Sequence, residues 1–171
     1  MKIAVQLQPA ERSAQKVEYT WDADTDILSA QLSPRVEGNG MSGSVGLEGA
    51  DGSWVILDIA RGHINGVEIA VWPEVRKLST LPTPTAVEDM YVVVPARQSQ
   101  PNIASVEMNA HLFADADLDQ KTLHFRLGKP KTSRTIRVAP DLLLDVDEKS
   151  QISGLWLLNV PPAPASLAEE L

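Results

Sequence analysis

The sequence predicts a mainly β protein: two similar antiparallel β halves packed with pseudo-twofold symmetry, with few short helices. Three observations carry this. Apolar and polar residues alternate at period two along most of the 171 residues, the mark of half-buried strands. The chain also repeats itself. Asp22 to Leu32 returns as Asp117 to Leu127, and Val55-Ile-Leu-Asp58 with Gly66-Val-Glu-Ile69 returns as Leu143-Leu-Asp145 with Gly154-Leu-Trp-Leu157. Finally, a proline-rich, semi-extended stretch from Ser79 to Ala86 separates the copies. The expected organisation is a first β repeat over 1–80, a linker at 81–87 and a second repeat over 88–171.

Subtraction gives the expected register. Ile3 aligns with Val92, and Val17-Glu18 with Val106-Glu107, at an offset of 89; Asp22 aligns with Asp117 at 95, Asp58 with Asp145 at 87 and Gly66 with Gly154 at 88. Offsets this steady, broken only in loop-like stretches, read as duplication with insertions and deletions at turns.

Taken in order, Ile3, Val5 and Leu7 alternate with polar neighbours as a first strand. Val17, Tyr19 and Trp21 share a face; the Asp22–Asp26 stretch turns the chain, and Leu28, Ala30 and Leu32 return. Short acidic side chains suit such a turn because they accept hydrogen bonds from nearby backbone amides. Glu37 to Gly46, rich in glycine, is expected to be the most flexible part of the first copy. Trp54 to Ile59 is apolar at both parities and is expected at the centre of a sheet. Ala60-Arg-Gly-His63 turns it, and Ile64 to Trp72 returns. Pro73 to Leu78 and Ser166 to Leu171 read as short helical turns, with a proline well placed at a first helical position. In the second copy Leu123, Phe125 and Leu127 face inward while His124 and Arg126 face out. Leu142–Val146 and Ile152–Val160 form its closing hairpin around a turn at 147–150.

Composition narrows the class. The hydrophobic fraction of 43% and charged fraction of 22% are ordinary for a globular protein. No apolar run approaches the roughly 20 residues of a membrane helix, and Met1 to Pro9 lacks the apolar block of a secretory signal. There is no cysteine, which removes disulfides, thiol catalysis and cysteine metal sites. A cytoplasmic location is the expectation. The net charge of −8 repels a phosphate backbone and argues against nucleic-acid binding.

One segment opposes that charge. From Gln120 to Pro140 no acid occurs, but Lys121, Arg126, Lys129, Lys131, Arg134 and Arg137 do. Three readings fit: a solvated edge strand protected from pairing by its cations, a surface docked on the acids Glu37, Glu48 and Asp51 of the first copy, or an interaction surface. On the last reading Arg126, Lys129, Lys131, Arg134 and Arg137 are the candidate residues.

Other motifs carry less chemistry. Gly38-Asn-Gly40-Met-Ser-Gly43 matches the dinucleotide glycine pattern, yet further glycines follow where a helix N-terminus is required. The trios Asp22/Asp24/Asp26 and Asp115/Asp117/Asp119 lack the glycine and the glutamate that complete a calcium loop. His63, His111 and His124 are scattered and read as solvated or hairpin-facing side chains, and Ser42 lacks the flanking glycine of a nucleophile elbow. No catalytic, cofactor or metal residue is therefore assigned. Trp21, Trp54, Trp72 and Trp156 read as packing in the core or between the halves.

These residues resemble a small bacterial family, the domain of unknown function 2283. Its pattern opens on an aromatic and an Asp-rich turn, as at Trp21 to Leu28, and closes on Leu-Asp, an acidic turn and Gly-Ile-Glu-Ile, as at Val55–Asp58 and Gly66–Ile69. Val138 to Glu148 and Gly154 to Leu157 match the close in the second copy; Lys121 departs from the opening, standing where the family has its second aspartate. The resemblance covers roughly 17–72 and 106–160. It implies β-hairpins in a small sheet, often followed by a short helix, and no assigned activity or site.

The expected function is a non-enzymatic module that binds a protein or small-molecule partner, a pseudo-dimer in one chain that is monomeric or weakly associated. The alternative is a small-molecule or metal-linked enzyme with its site between the halves. A structural subunit of a larger assembly is the third reading.

Overall fold

The computed structural model describes residues 3–9, 15–34, 37–95, 103–119, 121–128 and 132–164. Fourteen strands lie among them: β1 (Gln6–Pro9), β2 (Lys16–Trp21), β3 (Leu28–Ser33), β4 (Ser42–Gly49), β5 (Trp54–Ala60), β6 (His63–Val71), β7 (Val75–Leu78), β8 (Val87–Val93), β9 (Ile103–Ala110), β10 (Leu112–Asp117), β11 (Leu123–Leu127), β12 (Thr132–Ala139), β13 (Leu142–Asp147) and β14 (Ile152–Leu157). They form two sheets, ordered β2-β3-β6-β5-β4-β9 and β1-β8-β12-β13-β14-β11-β10-β7. No described helix is long and apolar enough to cross a membrane.

The two sheets share an inner order. β2-β3-β6-β5-β4 in one matches β10-β11-β14-β13-β12 in the other, each antiparallel throughout. Registers agree as well: Asp58 faces Gly66 and Asp145 faces Gly154, and each ladder slips by a bulge directly after that aspartate. The counterpart of β2 is β10, because Trp21 pairs with Leu28 as Ala116 pairs with Leu123. Val17 therefore matches Leu112, and the expected alignment of Val17 with Val106 is corrected. Val106 lies in β9, which runs parallel to β4 at the edge of the other sheet.

The edges are exchanged between the halves. β1 and β7 join the larger sheet, pairing with β8 and β10, while β9 joins the smaller one. The helical turn expected at Pro73–Leu78 is instead strand β7, since an open ladder position beside β10 outweighs weak local helix preference. The second expected helical turn, at 166–171, lies outside the described residues. β5 is interior as expected, but its faces differ: Val55, Leu57 and Ile59 are buried, whereas Trp54 and Asp58 are exposed.

Turn chemistry follows residue type. Arg61 and Gly62, with φ of 52° and 88°, close β5–β6 by a two-residue turn, whose twist matches that of the strands it joins. Asp22 accepts the Asp24 amide at 2.9 Å, as its place in the acidic turn requires. Asp147 accepts the amides of Lys149 and Gln151 at 2.8 and 3.0 Å. The glycine-rich segment 37–46 divides. Ser42 onward is strand β4, and Gly40 is held where its backbone meets that of Gly62 and Val94 through the Met41–Val94 and Gly62–Met41 hydrogen bonds. A methyl group on Gly40 would lie 2.5 Å from Gly62 Cα and 2.7 Å from Val94 O. Gly40→Ala should cost about 1–3 kcal/mol by forcing backbone apart. Urea denaturation beside Gly52→Ala would check this: no atom lies within 4 Å of a Cβ at Gly52, although its φ of 87° also strains alanine.

One apolar core lies between the sheets. Leu28, Leu57 and Ile69 from the smaller sheet meet Phe125, Leu144 and Leu155 from the larger. Trp21 and Trp72 stack at 5.6 Å, and Trp72 lies 6.0 Å from Phe125. Their ring nitrogens reach Pro161 O and Asp26 O, so these two rings pack at the seam as expected. Trp54 does not, being exposed.

Tyr19 donates its hydroxyl to Asp141 O across that seam. Burial first, and then the nearby Asp141 carboxylate, push its phenol well above the ordinary 10.0. Because the folded state holds this proton more tightly than the unfolded chain, the stabilisation is complete below the unfolded value and is lost as pH rises above it. Urea midpoints should therefore fall between about pH 9 and pH 11. In Tyr19→Phe, which starts lower without the hydrogen bond, that alkaline decline should be shallower.

Candidate ligand-binding site

Residues paired across a ladder share a face, so the registers draw rows across the outer face of the larger sheet. One runs Arg76, Asp115, His124, Trp156, Leu143, Arg137, Asp89. The next runs Phe113, Arg126, Gly154, Asp145, Thr135. This face is mainly polar, yet Asp115, Asp145 and Trp156 are only 5%, 2% and 5% exposed.

Asp145 is the hub. Its Oδ1 accepts from Thr135 Oγ1 at 2.9 Å, and its Oδ2 accepts from Trp156 Nε1 at 3.1 Å. His124 Nε2 lies 2.9 Å from Oδ2, and the His124 ring stacks on the Trp156 indole at 3.8 Å, 10° from parallel. A carboxylate can only accept, so Nε2 carries the proton and Nδ1 the lone pair when the imidazole is neutral. Gly154 makes room: a methyl group there would lie 2.8 Å from Asp145 Oδ2. The expectation of a solvated or hairpin-facing His124 is thus corrected to a ring held between a carboxylate and an indole.

The equivalent face of the smaller sheet has the scaffold without these groups. Asp58, Gly66 and Ser44 occupy the places of Asp145, Gly154 and Thr135. Thr20, Ser29, Gln31 and Glu68 stand where the larger sheet has Asp115, His124, Arg126 and Trp156. Asp58 is exposed there and receives Asn65 Nδ2 at 3.1 Å.

At the β7 end the face opens into a cleft of about 570 Å³, lined by Asp51, Glu74, Arg76, Leu112, Phe113, Ala114, Asp115 and Arg126. It joins residues of both halves: Asp51 from the β4–β5 turn, Glu74 and Arg76 from the start of β7, the rest from β10 and β11. Arg76 grips Asp115 with Nε at 3.0 Å and an Nη at 3.3 Å. Arg126 Nε lies 3.4 Å from the same carboxylate, buried and without a hydrogen-bond acceptor. The Arg126 guanidinium sits over the Phe113 ring, 5.2 Å from its centroid, and Phe113 is 46% exposed.

The basic segment is dispersed. Arg134 pairs through two 2.7 Å bonds with Glu88, and Arg137 with Asp89 at 3.3 Å, both on the parallel neighbour β8. Their partners are thus not Glu37, Glu48 or Asp51; Glu37 pairs with Arg61. The Arg134 fork holds the Glu88 carboxyl below its usual range. Arg126 stands apart in the cleft, while Lys129 and Lys131 lie outside the described residues. Neither His111, which is exposed, nor His124 lines the cleft. Burial lowers the pKa of His63, which meets Tyr91 edge-on at 5.8 Å. No group of three His, Cys, Asp or Glu side chains able to hold a metal occurs among the described residues.

Arg76, Glu74 and Phe113 carried no signal in the sequence that set them apart, and Asp115 stood out only as part of an acidic trio. Asp145 did carry one, since the Leu-Asp and Gly pattern of Asp58 and Gly66 recurs at Asp145 and Gly154; His124 carried none. No protein-family model matches the chain, and no curated protein matches it in sequence.

Proposed function

We propose that the protein is a binding module made of two duplicated β units, kin to the domain of unknown function 2283 family, and that it takes its ligand in the cleft beside β7, β10 and β11. The common strand order, the shared Asp–Gly pairing and the shared bulge support the duplication. One observation carries the functional reading. On matching scaffolds, and among the described residues, only the larger sheet places charged and aromatic side chains around buried carboxylates, and that face ends in an open cleft with an exposed phenylalanine. An exposed ring beside an arginine whose Nε is buried is a binding feature more than a stability feature.

A thermal-shift screen of metabolites and short peptides tests this, because a ligand that binds only the folded state raises its melting temperature. The response should vanish in Phe113→Ala and persist in Gln31→Ala, which alters the Arg126-equivalent position of the smaller sheet. A response that survives Phe113→Ala, or that is lost only with Gln31→Ala, places the ligand elsewhere and defeats the reading.

A further inference from the structure

We infer that the cleft takes a small zwitterion of the amino-acid type, with a carboxylate and an ammonium close together and an apolar side chain; this rests on the reading of the cleft as the binding site. The lining carries both signs. Within that lining one carboxylate, Asp115, faces two guanidiniums, Arg76 and Arg126, which leaves one positive charge in excess. The same lining holds two more carboxylates. Glu74 is exposed, and Asp51 uses Oδ1 to accept the Ser53 amide and hydroxyl at 3.0 and 2.6 Å, leaving Oδ2 outside those bonds.

That arrangement discriminates by charge. A simple anion drawn to Arg126 would meet Asp51 and Glu74, and a simple cation drawn to those acids would meet Arg76 and Arg126. A ligand that presents its carboxylate to the arginines and its ammonium to Glu74 satisfies both signs at once. Specificity of this kind comes as much from the repelled partner as from the attracted one. Arg126 strengthens the carboxylate end. Its Nε is buried and lacks an acceptor, so a carboxylate meeting the rest of its guanidinium competes with less water than at a solvated arginine.

The apolar requirement comes from Phe113. One side of its environment is the Arg126 guanidinium, yet the ring stays 46% exposed beside Leu112. An aromatic or branched aliphatic side chain would cover it. The cleft volume of about 570 Å³ lies in the range that holds small metabolites.

Calorimetric titration of the full chain with L-phenylalanine, N-acetyl-L-phenylalanine and L-phenylalanine amide tests the inference, since the three share a side chain and differ in charge. L-Phenylalanine should bind, and the acetylated anion and the amide cation should each bind at least about tenfold more weakly. Arg126→Gln should abolish binding of L-phenylalanine. Glu74→Gln alters an exposed side chain and is the variant safest for folding; it should narrow the gap between L-phenylalanine and its acetyl derivative. Equal affinity for all three, an unchanged gap in Glu74→Gln, or no heat with L-phenylalanine up to about 10 mM overturns the inference. If another compound of the thermal-shift screen then responds, and loses its response in Phe113→Ala, the ligand class fails while the cleft stands as the binding site. If none does, both fail.

Discussion

Asp145→Ala is expected to cost about 3–5 kcal/mol of folding stability, because it removes the acceptor shared by three buried or half-buried donors. Thr135 Oγ1, Trp156 Nε1 and His124 Nε2 all end on this carboxylate within 3.1 Å, and the carboxylate is 3% exposed. The three donors are then left without their acceptor at a place where the His124 side chain is only 14% exposed. Against a typical total of about 5–15 kcal/mol for a natural domain, that loss is a large share. The control is Asp58→Ala at the equivalent place in the smaller sheet, where solvent can replace the carboxylate. It should change stability by less than about 1 kcal/mol. Urea denaturation of the two variants measures the difference; equal losses would show that Asp145 contributes no more than its exposed counterpart. Asp145→Asn should fall between them, since the amide keeps one acceptor oxygen but turns a donor toward the others.

Phe125→Ala should be comparably severe, at about 3–5 kcal/mol. Phe125 is 1% exposed and meets Trp72 at the seam where the two sheets close. Its removal leaves a cavity between strands that two ladders hold in place, so the walls have little freedom to collapse. Phe113, the other of the two phenylalanines, lies on the outer face of the neighbouring strand and is 46% exposed. Phe113→Ala should change stability by about 0.5 kcal/mol, while removing the ligand response described above. The two variants thus separate folding from binding in rings only one strand apart. An unchanged unfolding slope in urea would show that neither alters the surface exposed on denaturation.

Much of the architecture was legible because period-two alternation and turn chemistry are local. Tyr19 and Trp21, the aspartates between them and Leu28, and the Arg61-Gly62 turn each announce a hairpin within a dozen residues. Errors arose where the deciding contact was distant. Pro73 to Leu78 has the composition of a first helical turn, but its backbone groups are claimed by Asp115 and its neighbours in β10. Val106-Glu107 copies Val17-Glu18 in identity, yet β9 lies against β4 and leaves Leu112 to fill the equivalent place. Arg134 and Arg137 read as part of a patch because no acid lies between Gln120 and Pro140. Glu88 and Asp89 reach them from β8, 46 and 48 residues away.

The candidate site was less legible for the same reason. Asp145 was visible as part of a repeated Leu-Asp and glycine pattern, but the gap of 21 residues to His124 signals nothing. Only the antiparallel steps from β11 to β14 and from β14 to β13 bring that ring and that carboxylate within 2.9 Å. The cleft is more remote still, since even Arg76 precedes Phe113 by the linker and the two strands β8 and β9, and Asp51 lies before β5 and β6 as well.

By itself, then, the sequence determined the β character, the two matching sets of hairpins and their turns, because alternation, glycine and aspartate act on their immediate neighbours. Tertiary structure decided which edge strands each sheet receives, which carboxylates are buried, and which arginines pair with β8 and which lies in the cleft. Those outcomes depend on ladder pairings between distant segments, and whether a charge is paired, buried or open to water depends on the neighbours those pairings bring.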